Sequence, residues 1–219
     1  MKTRNTVPTA HVCRLGAAGL SLLAVCACSL LKPTATPPPA FYTLDAARDA
    51  APAPAAAPAA APTLIVNPPT AAAGFESQRI IFVRETHKLE YFAHSEWVDP
   101  PARMLTPLLV AAVENTGAFR AVVLKPSAAT GEMRLDTEII RLQHEFQAPP
   151  SRVRFTLRAY LVEDKTRRVL AWREFDAVVP SASENPYGGV VAANRAIQTV
   201  LENLATFCAE TARSAQIEK

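Results

Sequence analysis

The chain has 219 residues, of which 23 are Lys or Arg and 20 are Asp or Glu, for a net charge of +3. Lys2, Arg4 and Arg14 supply three of those cations within a first stretch that holds no acid, and without them the remainder carries 20 charges of each sign. That balance argues against nucleic-acid binding, which needs a lasting basic surface.

Met1 to Arg14 is polar, and Leu15 to Val25 is an apolar run. That run has the length of a signal-peptide h-region and is too short to span a bilayer as a helix. No later segment is long and apolar enough to span, so export and anchoring are expected. The run closes on Leu22-Leu23-Ala24-Val25-Cys26-Ala27-Cys28-Ser29. This is the shape of a bacterial lipobox, with Val25, Cys26 and Ala27 before the cut and Cys28 after it. A cut before Cys26 would place branched Val25 where a small residue is needed. Cys28 is therefore the expected lipidation site, with palmitate among its acyl chains, and residues 1–27 are the expected signal peptide. An ordinary secretory signal or a short core helix is the alternative reading. Two or three acyl chains anchor firmly where one does not. Ser29, in place of Asp, favours the periplasmic face of the outer membrane, with the inner membrane as the alternative.

The same cut disposes of cysteines. Cys13 and Cys26 leave with the signal, Cys28 is acylated, and Cys208 remains. One thiol forms no intramolecular disulfide. At an apolar helix position it reads as buried and inert.

After the cysteine come Pro, Thr and Ala, then the β-prone island Phe41-Tyr42-Thr43-Leu44. Ala46 to Pro62 is almost wholly Ala and Pro, and predicts an extended, semi-rigid spacer. Residues 28–62 thus read as a tether. The aromatics of Phe41 to Leu44 predict a first strand that docks back on the domain.

The folded domain is expected over residues 63–215. Thr63 to Pro69, Gln78 to Arg84 and Lys88 to Ala93 read as strands, the last two joined by a turn at Glu85-Thr86-His87. Asp99, Pro100 and Pro101 signal a helix start. Met104, Leu105, Leu108, Leu109, Ala112 and Val113 carry the helical period. Pro107 predicts either a bend or a later start capped by Thr106. Gly117 suits the left-handed end.

Phe119 to Leu124 is a short strand. Met133 to Phe146 is a long one whose apolar phase shifts between Ile139 and Ile140, which predicts a bulge. In Arg152 to Leu161, Val153, Phe155, Leu157, Ala159 and Leu161 face one way. A turn at Glu163 to Thr166 leads into a strand from Arg168 to Val179. A last helix is expected from Ser183 to about Ala212, with Val190, Ile197, Leu201, Leu204 and Cys208 on one stripe and Asn194 interrupting it. The order predicts an α+β, two-layer sandwich: a mixed β-sheet with two main helices on one face.

No catalytic set is legible, and neither metal-ligand spacing nor a cofactor motif occurs. His87, His94 and His144 read as solvated or locally bonded. Gly188-Gly189 reads as a flexible lead-in to the last helix, with an anion site there as the alternative. Arg152, Arg154 and Arg158 read as a solvated strand face, or else as a basic stripe toward anionic lipid or an acidic partner. Arg84, Tyr91, Phe92, Glu96 and Trp97 crowd together, and of these Arg84, Tyr91, Phe92 and Trp97 form the candidate partner interface. The competing reading has Trp97 merely covering the sheet at the start of the helix.

With its lipobox, Phe41-Tyr42-Thr43-Leu44 opening, Arg79-to-Arg84 strand, Tyr91-to-Trp97 segment, Met104-Leu105 helix, Gly117-x-Phe119 turn, long hairpin and closing helix, the sequence resembles the ABC-type transport auxiliary lipoprotein family, the PqiC-like group. The Ala46-to-Pro62 insertion and Pro107 depart from that pattern. The resemblance implies a non-enzymatic component of a lipid-trafficking system. Its implied partners are an MCE-domain protein and the permease and ATPase of an ABC transporter, with a homo-oligomer also implied. A lipoprotein that assembles or regulates a cell-wall or outer-membrane machine is the alternative.

Overall fold

The computed structural model describes residues 38–45, 58 and 60–217. The expected signal peptide, Cys28 and Ser29, and most of the Ala/Pro run lie outside those residues.

Thirteen residues of alternating character, Met133–Glu145, form the long strand β7 around which the sheet is organised. One edge of β7 pairs along its length, antiparallel, with β8 (Arg152–Glu163), and β8 pairs antiparallel with β9 (Val169–Pro180). The other edge takes three short strands in succession, all parallel to it. These are β2 (Thr63–Val66), β3 (Thr70–Ala71) and β4 (Arg79–Val83), with registers Leu64↔Met133, Thr70↔Glu138 and Phe82↔His144. Outward of these, β6 (Ala121–Leu124) flanks β2, and β5 (Glu90–Trp97) flanks β4. At the edge, β1 (Ala40–Tyr42) runs parallel to β5. The architecture is the expected α+β one, a mixed open sheet carrying two helices.

The predicted phase shift is a bulge. The β7–β8 register jumps between Ile139 and Arg141, so that Met133, Leu135 and Ile139, then Leu142 and His144, all face inward. An extra residue on one strand turns the side-chain alternation over. In β8 the alternation holds as expected, with Phe155, Leu157, Ala159 and Leu161 fully buried.

Helix α1 is Pro101–Glu114 and is continuous through Pro107. Pro107 lacks the N–H that would bond Arg103, and Thr106 Oγ1 donates to the Ala102 carbonyl at 3.0 Å. Asp99 does not cap it. The N-cap is Pro100, and Asp99 pairs instead with Arg103 at 3.1 Å. The helix leads out through Gly117 at φ +61°, as its glycine predicted.

Helix α2 is Pro186–Ile217, so it starts later and ends later than expected from Ser183 and Ala212. Its cap is Asn185, whose Oδ1 accepts the Gly188 N–H at 2.9 Å, with Pro186 in the first turn. Both helices bury their stripes in one core, with Leu105 and Leu109 from α1 and Ile197 and Leu204 from α2 against the sheet. Each such side chain contributes about 1.5–3 kcal/mol. Among the described residues, no helix is long and apolar enough to cross a membrane.

The aromatic island docks on the domain, but its strand is Ala40–Tyr42 rather than Phe41 to Leu44. Leu44 is buried, the Val98 N–H donates to the Tyr42 carbonyl at 2.9 Å, and Asn194 holds the strand's exit from both sides. Its Oδ1 accepts the Asp45 N–H at 2.9 Å and its Nδ2 donates to the Thr43 carbonyl at 3.3 Å. The polar residue that interrupts the α2 stripe is thus the clamp for β1.

Candidate functional site

The β4–β5 hairpin carries the candidate interface, and its register decides which residues meet. Paired residues across two strands share a face. Phe82 lies opposite Glu90 and Ile81 opposite Tyr91, but two residues later on β4, going back toward its start, Arg79 lies opposite Glu96. Two steps on β4 therefore match five on β5. The odd excess turns β5 over between Tyr91 and Trp97.

The outcome separates the predicted residues. Tyr91 is 52% exposed, on the face it shares with Ile81, and the Arg79 guanidinium stands 4.1 Å from its ring centroid. Trp97 is 3% exposed and belongs to the core. Phe92 is half-buried, with its ring 4.6 Å from Phe82 and 6.3 Å from Phe146. Arg84 is exposed, donates to Glu90 from Nε at 3.0 Å and lies 5.1 Å from the Phe82 ring. The hydrogen bond and charge of Glu90 push the Arg84 pKa up, and the hydrogen bond from Arg84 holds Glu90 below the usual carboxylate range. Glu96 is half-buried opposite Arg79.

Arg79, Phe82 and Glu90 were not singled out from the sequence. The period-2 order of Phe82 and Arg84 against Glu90 and Phe92 holds the signal for that group. The three-residue slip of β5 leaves no such signal.

The arginine stripe of β8 is not a free basic surface. Arg152 and Arg154 both donate to Glu145, at 3.0 and 3.1 Å, and Arg154 also reaches Asp176 at 2.7 Å. Arg158 lies between Glu138 and Glu174, at 3.5 and 3.0 Å. Burial works to raise the Glu145 pKa, but hydrogen bonds from Gln143, Arg152 and Arg154 outweigh it and hold the group low. The strand register that aligns β7, β8 and β9 places a carboxylate beside each of these cations. Next to them, Tyr160 and Trp172 stack at 6.3 Å on the same face.

His87 sits in the hairpin turn at φ +68°, and His94 lies within β5 rather than after a strand. His144 is 2% exposed, with Nε2 2.8 Å from Ser151 Oγ and its ring 4.1 Å from Phe146. Burial pushes its pKa down, and Glu184 pulls it partly back. Gly188 and Gly189 are not a flexible lead-in. Both are buried within the first turn of α2, and a Cβ on Gly189 would stand 2.5 Å from His144 Nδ1. Cys208 is a free, buried thiol pushed up to about 12 by burial. Among the described residues, no group of His, Cys, Asp or Glu is placed to hold a metal ion.

The family model of the ABC-type transport auxiliary lipoprotein component matches residues 42–205, from the end of β1 into the second half of α2. Protein XCC0632 from Xanthomonas campestris superposes with a TM-score of 0.67 at 22% identity, over 80% of this chain and 98% of that one. The hypothetical protein CT253 from Chlamydia trachomatis superposes with a TM-score of 0.51 at 8% identity, over 70% of this chain and 98% of that one. At those identities both share the fold. No curated protein sequence matches the chain.

Proposed function

Because the chain belongs to the ABC-type transport auxiliary lipoprotein family, we propose that it is a non-enzymatic docking component of an ABC transport system that moves lipid or other hydrophobic cargo between membranes. Acyl chains on Cys28 hold it, in this reading, on the periplasmic face of the outer membrane. Its partners are an MCE-domain protein and, through it, the permease and ATPase.

The observation that carries this reading is the extent of the family match, which runs from the last residue of β1 through every strand and α1 into the second half of α2. The contact surface is the β4–β5 hairpin. There Arg84 and the half-buried Phe92, against Phe82, present one face to a partner and exposed Tyr91 presents the other, while Trp97 fixes the strand from the core side. Aromatic and arginine side chains on a stiff support have the composition of interface hot spots.

The test is capture of the tagged, lipidated protein from detergent-solubilised membranes, followed by identification of what comes with it. MCE and permease subunits are expected, and Tyr91→Ala with Arg84→Ala should lower their recovery about tenfold. Recovery of a cell-wall synthase or outer-membrane assembly machine, with no MCE protein, would replace this reading with that of an envelope assembly lipoprotein.

A further inference from the structure

Two aromatic side chains are left uncovered where the chain first reaches the domain. Phe41 is 58% exposed and Tyr187, in the first turn of α2, is 64% exposed. Together with Tyr42, Val190, Val191 and Arg195 they line an open groove of about 430 Å³. Among the described residues the strand that carries Phe41 pairs only with β5, so this groove lies along an edge of the sheet.

The clamp on β1 sets how far this edge can stand from a lipid anchor. From Ala40 to Asp45 the chain is fastened to the domain, by pairing with β5, by buried Leu44 and by Asn194. The Ala/Pro run therefore joins two fixed points of one domain, β1 and β2, and adds nothing to the anchor's reach. Only twelve residues lead from Cys28 to Ala40. Fully extended they span at most about 43 Å, and about 37 Å as polyproline helix. A domain of this size has a radius of gyration of about 16 Å. The leash is thus about as long as the domain is wide, and it ends at the groove.

We propose that the groove around Phe41 and Tyr187 is the membrane-contacting face of the domain, its occupant the headgroup region of the bilayer that holds the anchor. This rests on the reading of Cys28 as lipidated. Tyrosine and other aromatic rings with an apolar body and a polar edge favour that depth. Val190 and Val191 give the groove apolar lining, and Arg195 offers a cation to lipid phosphate. The contact is weak alone and is reinforced by the high effective concentration that a short leash imposes.

The experiment uses the full-length lipidated protein in vesicles of phosphatidylethanolamine and phosphatidylglycerol. A polarity-sensitive fluorophore is placed at Tyr187→Cys, or at Lys165→Cys in the β8–β9 turn, leaving buried Cys208 unlabelled. The Tyr187 probe should shift to the blue and be quenched by headgroup-region spin-labelled lipid several-fold more than the Lys165 probe. Protein that floats with the vesicles while the Tyr187 probe stays in water overturns this inference and leaves the anchor reading intact. Equal quenching at both sites, or a blue shift without quenching, overturns it too. Protein that fails to float removes the anchor reading, and this inference with it.

Discussion

Gly189 of α2 lies so close to His144 of β7 that a Cβ at that glycine would stand 2.5 Å from the imidazole Nδ1. The first turn of the helix is thereby set directly on the sheet. Gly189→Ala should destabilise the fold by about 1–3 kcal/mol, because the buried ring, hydrogen-bonded to Ser151, would have to shift. Urea unfolding would show a lower midpoint at unchanged slope.

The same histidine gives the fold an acid limit. An unfolded His titrates near 6.5, and burial holds His144 below that in the fold. The unfolded chain therefore binds the proton more readily. Stability is complete above about pH 6.5, falls as the pH drops below it, and levels once the pH has passed the lower folded value. His144→Gln should remove that decline in urea midpoints between pH 7 and 5. Glu145, also held low, adds a separate loss below its ordinary 4.5.

Trp97 and Tyr91 should behave as opposites. Trp97→Ala removes a core side chain and should cost about 3–5 kcal/mol. Tyr91→Ala, on the exposed face, should change stability by no more than about 0.5 kcal/mol. In the capture assay Tyr91→Ala should lose partner while the protein stays folded by circular dichroism.

Asn194→Ala removes both hydrogen bonds that fasten the exit of β1. A loss of about 1–2 kcal/mol is expected. It should be local, with faster hydrogen exchange at the Val98 amide, which bonds to Tyr42, and no change at the amides of β8.

Cys208, with its thiol pushed up to about 12, should resist alkylation at pH 8 in the folded protein. It should react fully in urea. Rapid modification without urea would contradict the packing of α2 on the sheet.

Much of this fold was legible because its signals are local. The alternation in β8 and the phase shift at Ile139–Ile140 appear in the sequence as they do in the sheet, and Gly117 marks the end of α1. Helix starts were less so. Asp99 resembles a cap, but its carboxylate is taken by Arg103, while the cap of α2 is Asn185 rather than Ser183. The site was only half legible. Tyr91 and Trp97 stand in one strand at an even spacing, which would place them on one face, yet a register slip that depends on the partner strand parts them. The β8 arginines looked basic because the carboxylates that neutralise them, Glu138, Glu145, Glu174 and Asp176, lie on other strands.

The single edge of β7 that receives β2, β3 and β4 also orders events in time. The registers Leu64↔Met133 and Phe82↔His144 join residues far apart in sequence, whereas β7, β8 and β9 form a local meander. Loop closure over long separations is slow. A chain emerging from its N-terminus presents those first strands before their template exists. Strand β4 has its hairpin partner β5 close behind it, but one of its edges waits for β7, and β2 waits for both of its partners, β6 and β7; it is during that interval, rather than in the finished domain, that the apolar run Thr63–Val66 most needs to be kept from other strands.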